Sequence, residues 1–142
     1  MHIKRITHSG QPQMNLGELI AKLKPLAKER KPWDDSEELF VFFDFPNAFP
    51  VGLDGWRGIY AELAITHTPR TDSEVLTASQ FLDMCRSALG GTFEGYKGGY
   101  YTMTEDTPLW VDDSGEYNNC ALVDVITNES HNVVLITGYC EA

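Results

Sequence analysis

The chain has 142 residues, of which 42% are hydrophobic and 23% charged. That is one domain's worth of sequence with enough apolar content for a core, which excludes a disordered chain. Eleven Lys and Arg against 21 Asp and Glu give a net charge of −10, which opposes direct binding to a phosphate backbone.

The first 13 residues read as an extended arm closing on Gly10-Gln11-Pro12, and residues 14–142 as a single α+β domain. Asn15 with Glu18 three residues later forms a capping box, and Leu16, Leu19, Ile20 and Leu23 recur at helical spacing, so a helix starts there. Pro25 kinks it or begins a second short turn. Because Met14 could itself begin a compact protein, residues 1–13 are expected to be dispensable for folding. Residues 31–36 read as a loop. Leu39-Phe40-Val41-Phe42-Phe43-Asp44-Phe45 is the strongest strand, apolar on both sides, as suits a central strand or one covered on both faces. Pro46, Pro50, Gly52 and Gly55 then mark a long turn. A second strand runs near 58–66, with alternating residues on two faces.

Thr77 with Gln80 forms another capping box, and Phe81, Leu82, Cys85 and Ala88 follow at helical spacing until Gly90-Gly91 ends the helix. A strand is expected around 108–112, and a hairpin from 121–127 and 132–137. Two main helices and five or six strands imply an α+β fold: a mostly antiparallel sheet with both helices on one side.

Charge is uneven. Residues 1–31 carry seven basic and two acidic residues, net +5; residues 32–142 carry four basic and 19 acidic, net −15. No transmembrane run of roughly 18–20 apolar residues exists. The start, Met1-His2-Ile3-Lys4-Arg5-Ile6, lacks a secretory signal's apolar stretch, so the expected address is the cytoplasm. Cys85, Cys120 and Cys140 are an odd number at wide spacing with no C-x-x-C pair. They read as packing residues, and no metal site or cofactor is assigned.

Two constellations could hold a ligand. Between Gly90 and Tyr101 lie five glycines and four aromatics, with Lys97 among them. Glycines let a backbone approach a ligand, tyrosines offer stacking faces and lysine offers charge. Asp54-Gly55-Trp56-Arg57-Gly58-Ile59-Tyr60 places an arginine beside an aromatic, where it can clamp a phosphate or carboxylate. Together they nominate Arg57, Tyr60, Tyr96, Lys97 and Tyr101 for a small anionic, nucleotide-like ligand. The structural alternative is a tightly turned β-connection and a salt bridge from Arg57 to Asp44 or Asp54. A different class of reading uses the acidic runs Asp34, Asp35, Glu37, Glu38 and Glu105, Asp106, Asp112, Asp113. These would let the protein imitate nucleic acid and seat on a basic groove of a host protein. Neither run has calcium-loop spacing, and no nucleophile–base pair is evident, so no catalytic residue is assigned and binding is favoured over turnover.

Four stretches taken together resemble a group of small bacteriophage proteins. They are Leu16-Gly17-Glu18-Leu19-Ile20; Arg57-Gly58-x-Tyr60-x-x-Leu63-Ala64; Phe93-Glu94-Gly95-Tyr96-Lys97-Gly98-Gly99-x-Tyr101-x-Met103; and Thr107-Pro108-x-Trp110-Val111. The likeness spans roughly residues 14–112 and implies a phage or prophage origin. By association, such proteins act by binding against host defence or metabolism. The expected partner is a small anionic ligand or a host protein, with no membrane and no direct nucleic acid; self-association is left open.

Overall fold

A computed structural model describes residues 4–27, 39–46, 48–56, 61–69, 75–94, 98–112, 119–130 and 132–140. Its elements in chain order are α1 (Leu16–Leu23), β1 (Val41–Phe43), β2 (Ala48–Gly55), β3 (Leu63–Pro69), α2 (Ala78–Ala88), β4 (Thr92–Glu94), β5 (Tyr100–Thr102), β6 (Leu109–Val111), β7 (Cys120–Thr127) and β8 (Val133–Tyr139). Six strands form one sheet in the order β1-β8-β7-β6-β3-β2, and β4 pairs with β5 in a separate ribbon. The class is α+β. No described helix is long and apolar enough to cross a membrane.

The sheet is mixed, which corrects the mostly antiparallel expectation. β1 pairs with β8 and β3 with β6 in parallel, whereas β2–β3, β6–β7 and β7–β8 are antiparallel. Parallel neighbours need a long crossover. The chain between β3 and β6, which carries α2, β4 and β5, supplies one.

Both helices start as their sequences require. Asn15 Oδ1 accepts from the Glu18 amide while the Glu18 carboxylate accepts from the Asn15 amide, and Thr77 and Gln80 do the same for α2. α1 ends at Leu23, just before Pro25. After α2 the chain turns at Gly90, whose φ of +79° suits a residue without Cβ. Leu16, Leu19, Leu23, Phe81, Leu82 and Cys85 are buried together against one sheet face, on Val41, Phe43, Leu63, Ile65, Leu122 and Leu135. Burial pushes the Cys85 thiol up to about 12, so it stays protonated packing material.

Two strand expectations change. β1 is not central but stands at one end of the strand order. Its apolar second face is nonetheless used: the Phe42 ring meets Phe49 of β2 at 5.5 Å, so the two ends of the sheet approach each other. The long turn expected around Pro50, Gly52 and Gly55 is instead β2. It tolerates these residues because it is a terminal strand with a register shift between Pro50 and Gly52, where a missing N–H breaks no ladder.

The other sheet face carries a smaller cluster: Trp56, Ala64, Trp110, Ala121 and Cys140. Among the described residues no helix packs on it. Residues 4–13 cover it instead, folded into a hook. Ile6 and Pro12 bridge antiparallel, the Gln13 amide donates to the Arg5 carbonyl, and the bend closes through Thr7 N–H to Gln11 O at 2.8 Å and Gly10 N–H to Thr7 O at 2.9 Å. Gly10 sits at φ +86°. Beyond the hook, Met14 lies in the fork between β6 and β7. Its amide donates to Leu122 O at 2.7 Å and its carbonyl accepts from Leu109 N–H at 3.1 Å. The segment read as a dispensable arm is thus packed on the body.

A candidate binding recess beneath the hook

Glu62 is the residue around which the site is built. It stands just before β3 in the run Ala61-Glu62-Leu63-Ala64-Ile65, where a carboxylate must be desolvated. Its side chain is only 9% exposed. Two groups stabilise it there. Arg5 donates from Nη1 to Oε1 at 2.6 Å and from Nη2 to Oε2 at 3.3 Å, and Trp110 donates from Nε1 to Oε1 at 2.8 Å. A bidentate guanidinium and an indole donor are a strong set for a buried carboxylate.

The same contacts fix Arg5. Its guanidinium carbon lies 5.3 Å from the Trp110 ring centroid, and Trp110 stacks on Trp56 with centroids 4.1 Å apart and planes 5° from parallel. A planar cation on an indole face is favourable. Gln13 completes the frame by donating from Nε2 to the Leu109 carbonyl at 2.9 Å. Both Nη atoms of Arg5 hold Glu62, while 41% of the Arg5 side chain stays exposed.

Beside this frame is a recess of about 550 Å³, within the range of small-ligand sites. The hook and the start of α1 form one wall, with Lys4, Arg5, Gln13, Met14 and Asn15; the body forms the other, with Ala61, Glu62, Thr102, Thr104, Asp106, Thr107 and Pro108. Donors dominate its polar lining. Thr104 and Thr107 accept from the Asp106 and Thr104 amides respectively, which leaves each hydroxyl its own O–H. Lys4 pairs with Glu18 just outside. Burial would raise the Glu18 carboxyl pKa, but the Lys4 hydrogen bond, the Asn15 amide and the Lys4 charge together hold it below its ordinary value. A second groove, of about 620 Å³, runs between β2 and α2, but among the described residues its lining has Asp83 and no cation. It suits an anion less.

The residues nominated from sequence are distributed as follows. Arg57, Tyr60, Tyr96 and Lys97 lie outside the described residues. Tyr101 is on β5 opposite Phe93, half-buried against the helix-side core rather than lining the recess; its neighbour Thr102 lines it. Asp34, Asp35, Glu37, Glu38 and Asp113 also lie outside the described residues. Glu105 and Asp106 are exposed on the turn before β6, and Asp106 reaches the recess wall. Asp112 is half-buried just after β6. Asp44 and Asp54, considered as partners for Arg57, accept from Thr137 and from the Gly55 amide.

Lys4, Arg5 and Glu62 were missed as a site. The scarcity of cations in residues 32–142 points to that part of the chain and away from Lys4 and Arg5. The available signal was Glu62 itself: a lone acid in an apolar strand requires a buried donor set, and a buried Trp N–H requires an acceptor. No protein-family model, curated protein or solved structure matches the chain.

Proposed function

We propose that this protein is a phage-encoded accessory protein of the host cytoplasm that works by binding. In this reading it sequesters a small, acceptor-rich anion of the nucleotide class and so counters host defence or metabolism. The observation that supports it is the donor-rich recess with Arg5 held in place by Glu62 and Trp110. A preset guanidinium loses little freedom on binding, which raises affinity for a phosphate or carboxylate. The lining is not a bare cationic trap, because Glu62 and Asp106 offset Lys4 and Arg5. The ligand must therefore gain through hydrogen bonds from the threonines as well as through charge.

Equilibrium dialysis against ATP, cyclic dinucleotides and inorganic phosphate tests this. At least one should bind. Lys4→Ala combined with Thr102→Val should weaken it about tenfold, about 1.4 kcal/mol, while Asp106→Asn should strengthen it severalfold by removing a like charge. No binding across the panel, or no response to these changes, would refute the reading.

A second reading has its own support. The turn bearing exposed Glu105 and Asp106 is held rigidly, with Thr104 N–H on Thr107 Oγ1 at 2.8 Å and Gly17 N–H on Glu105 O at 2.9 Å. Preset acids suit an inhibitor docking on a basic groove of a host protein. Such a complex should weaken steeply with salt and fail when both acids are neutralised.

A further inference from the structure

The recess has one wall on the hook and one on the body, so anything that shifts the hook moves Arg5 relative to Thr102 and Thr104. The hook's bend is docked far along the sheet order from Glu62. His8 N–H donates to Tyr139 O of β8 at 2.9 Å, and Thr7, 4% exposed, packs on Gly138. At its base, Gln13 reaches Leu109 O of β6 and Arg5 reaches Glu62 beside β3, and just past it Met14 bonds Leu122 of β7. The hook is internally stiff: Arg5 is tied to Gln13, and Thr7 Oγ1 accepts from the Gln11 amide at 3.1 Å. A displacement at the bend is therefore transmitted to its base.

Gly138 decides whether the bend can dock. Its φ is not positive, so backbone freedom does not explain the glycine. Space does. A Cβ there would lie 2.9 Å from Thr7 Cγ2 and 3.2 Å from Thr7 Cβ. Neither Thr7 nor Gly138 lines the recess.

We infer that Thr7 and Gly138 are positioning residues for the recess: their contact seats the hook, and the seated hook aims Arg5. For ligand affinity the inference rests on the small-anion reading above; for the placement of Arg5 it does not. By linkage, a ligand held by both walls also stabilises the docked hook, and undocking at Gly138 lowers affinity without touching a lining residue.

The test uses the full chain and the variants Gly138→Ala, Thr7→Ser and their combination. Serine lacks the methyl that would sit 2.9 Å away and keeps the hydroxyl, so it removes the closest contact, leaves the 3.2 Å approach to Cβ, and preserves the internal bond. Trypsin cleavage after Arg5, followed by mass, reports hook opening without any ligand, because cleavage tracks the population of the open form. Indole emission reports the guanidinium over Trp110. Gly138→Ala should be cleaved about tenfold faster, with shifted emission and unchanged helical ellipticity, since added volume in a packed contact disfavours the docked form. Adding Thr7→Ser should restore both. With ATP as probe, affinity should fall and recover in step.

Cleavage and emission in Gly138→Ala equal to wild type would overturn the inference, as would a double variant that stays open. So would ATP binding unchanged in a variant whose hook has opened. If wild type binds neither ATP nor the other panel anions while cleavage and emission still shift and recover, positioning of Arg5 stands and the small-anion reading falls.

Discussion

The two faces of the sheet are stabilised by different physics. Under α1 and α2 the contacts are apolar, numerous and non-directional, and any one side chain shares its burial with many neighbours. Under the hook the apolar cluster is small, and polar contacts define the geometry: Arg5 to Glu62, Trp110 to Glu62 and Gln13 to Leu109. The first face confers stability. The second confers position, and a binding site needs position. Polar pairs cost desolvation and return specificity, and the recess lies beside them.

Truncating the helix-side core should have the largest effect. Phe81→Ala removes a fully buried ring and should cost about 4 kcal/mol in denaturant unfolding. A loss below about 1 kcal/mol would mean that face is not the main source of stability.

The hook side should respond asymmetrically. Arg5→Ala leaves a carboxylate 9% exposed with the Trp110 indole N–H still donating to it but its charge partner gone, and should cost about 3 kcal/mol at neutral pH. Glu62→Ala leaves a cation that is 41% exposed and can turn to water, and should cost nearer 1 kcal/mol. Equal costs for the two substitutions would mean that the pair behaves as an exposed surface bridge. Deleting residues 1–13 should cost at least as much as Arg5→Ala. It also places a charged terminus at Met14, whose amide is enclosed between β6 and β7.

The caps should be worth least. Asn15→Ala should cost about 1 kcal/mol by removing the acceptor for the Glu18 amide. Glu18 contributes with a definite sign. Its folded pKa lies below the ordinary 4.5, so its contribution is complete above that value and is lost as pH falls through the depressed one. Lys4→Ala should remove a part of this acid dependence, and only a few tenths of a kcal/mol at neutral pH because the pair is exposed.

What could be read from the sequence follows the same division. α1, α2 and the β7–β8 hairpin were legible because their signals are local: capping boxes, helical spacing, two alternating runs joined by a short turn. β2 was not, because Pro50 and Gly52 break a strand everywhere except at a sheet terminus or bulge, and strand order is a tertiary fact. The hook reads as an extended arm because its partners are remote. Arg5 and Glu62 are 57 positions apart, and Gln13 and Leu109 are 96 apart. Of the candidate site, the stacking of Arg5 on Trp110 was not legible, because no local signal in the sequence brings the two residues together. The parallel pairings were missed for a related reason: antiparallel hairpins announce themselves by short turns, and crossovers do not.

The most direct measurement is mass spectrometry of freshly purified wild type and Arg5→Ala, each recorded first under native and then under denaturing conditions. If the recess beneath the hook captures a small anion, native wild type should be heavier than the bare chain by one compound that denaturation releases, and Arg5→Ala should carry none. A wild type at bare-chain mass that also ignores the nucleotide panel, or an Arg5→Ala chain carrying the same compound, would contradict the account.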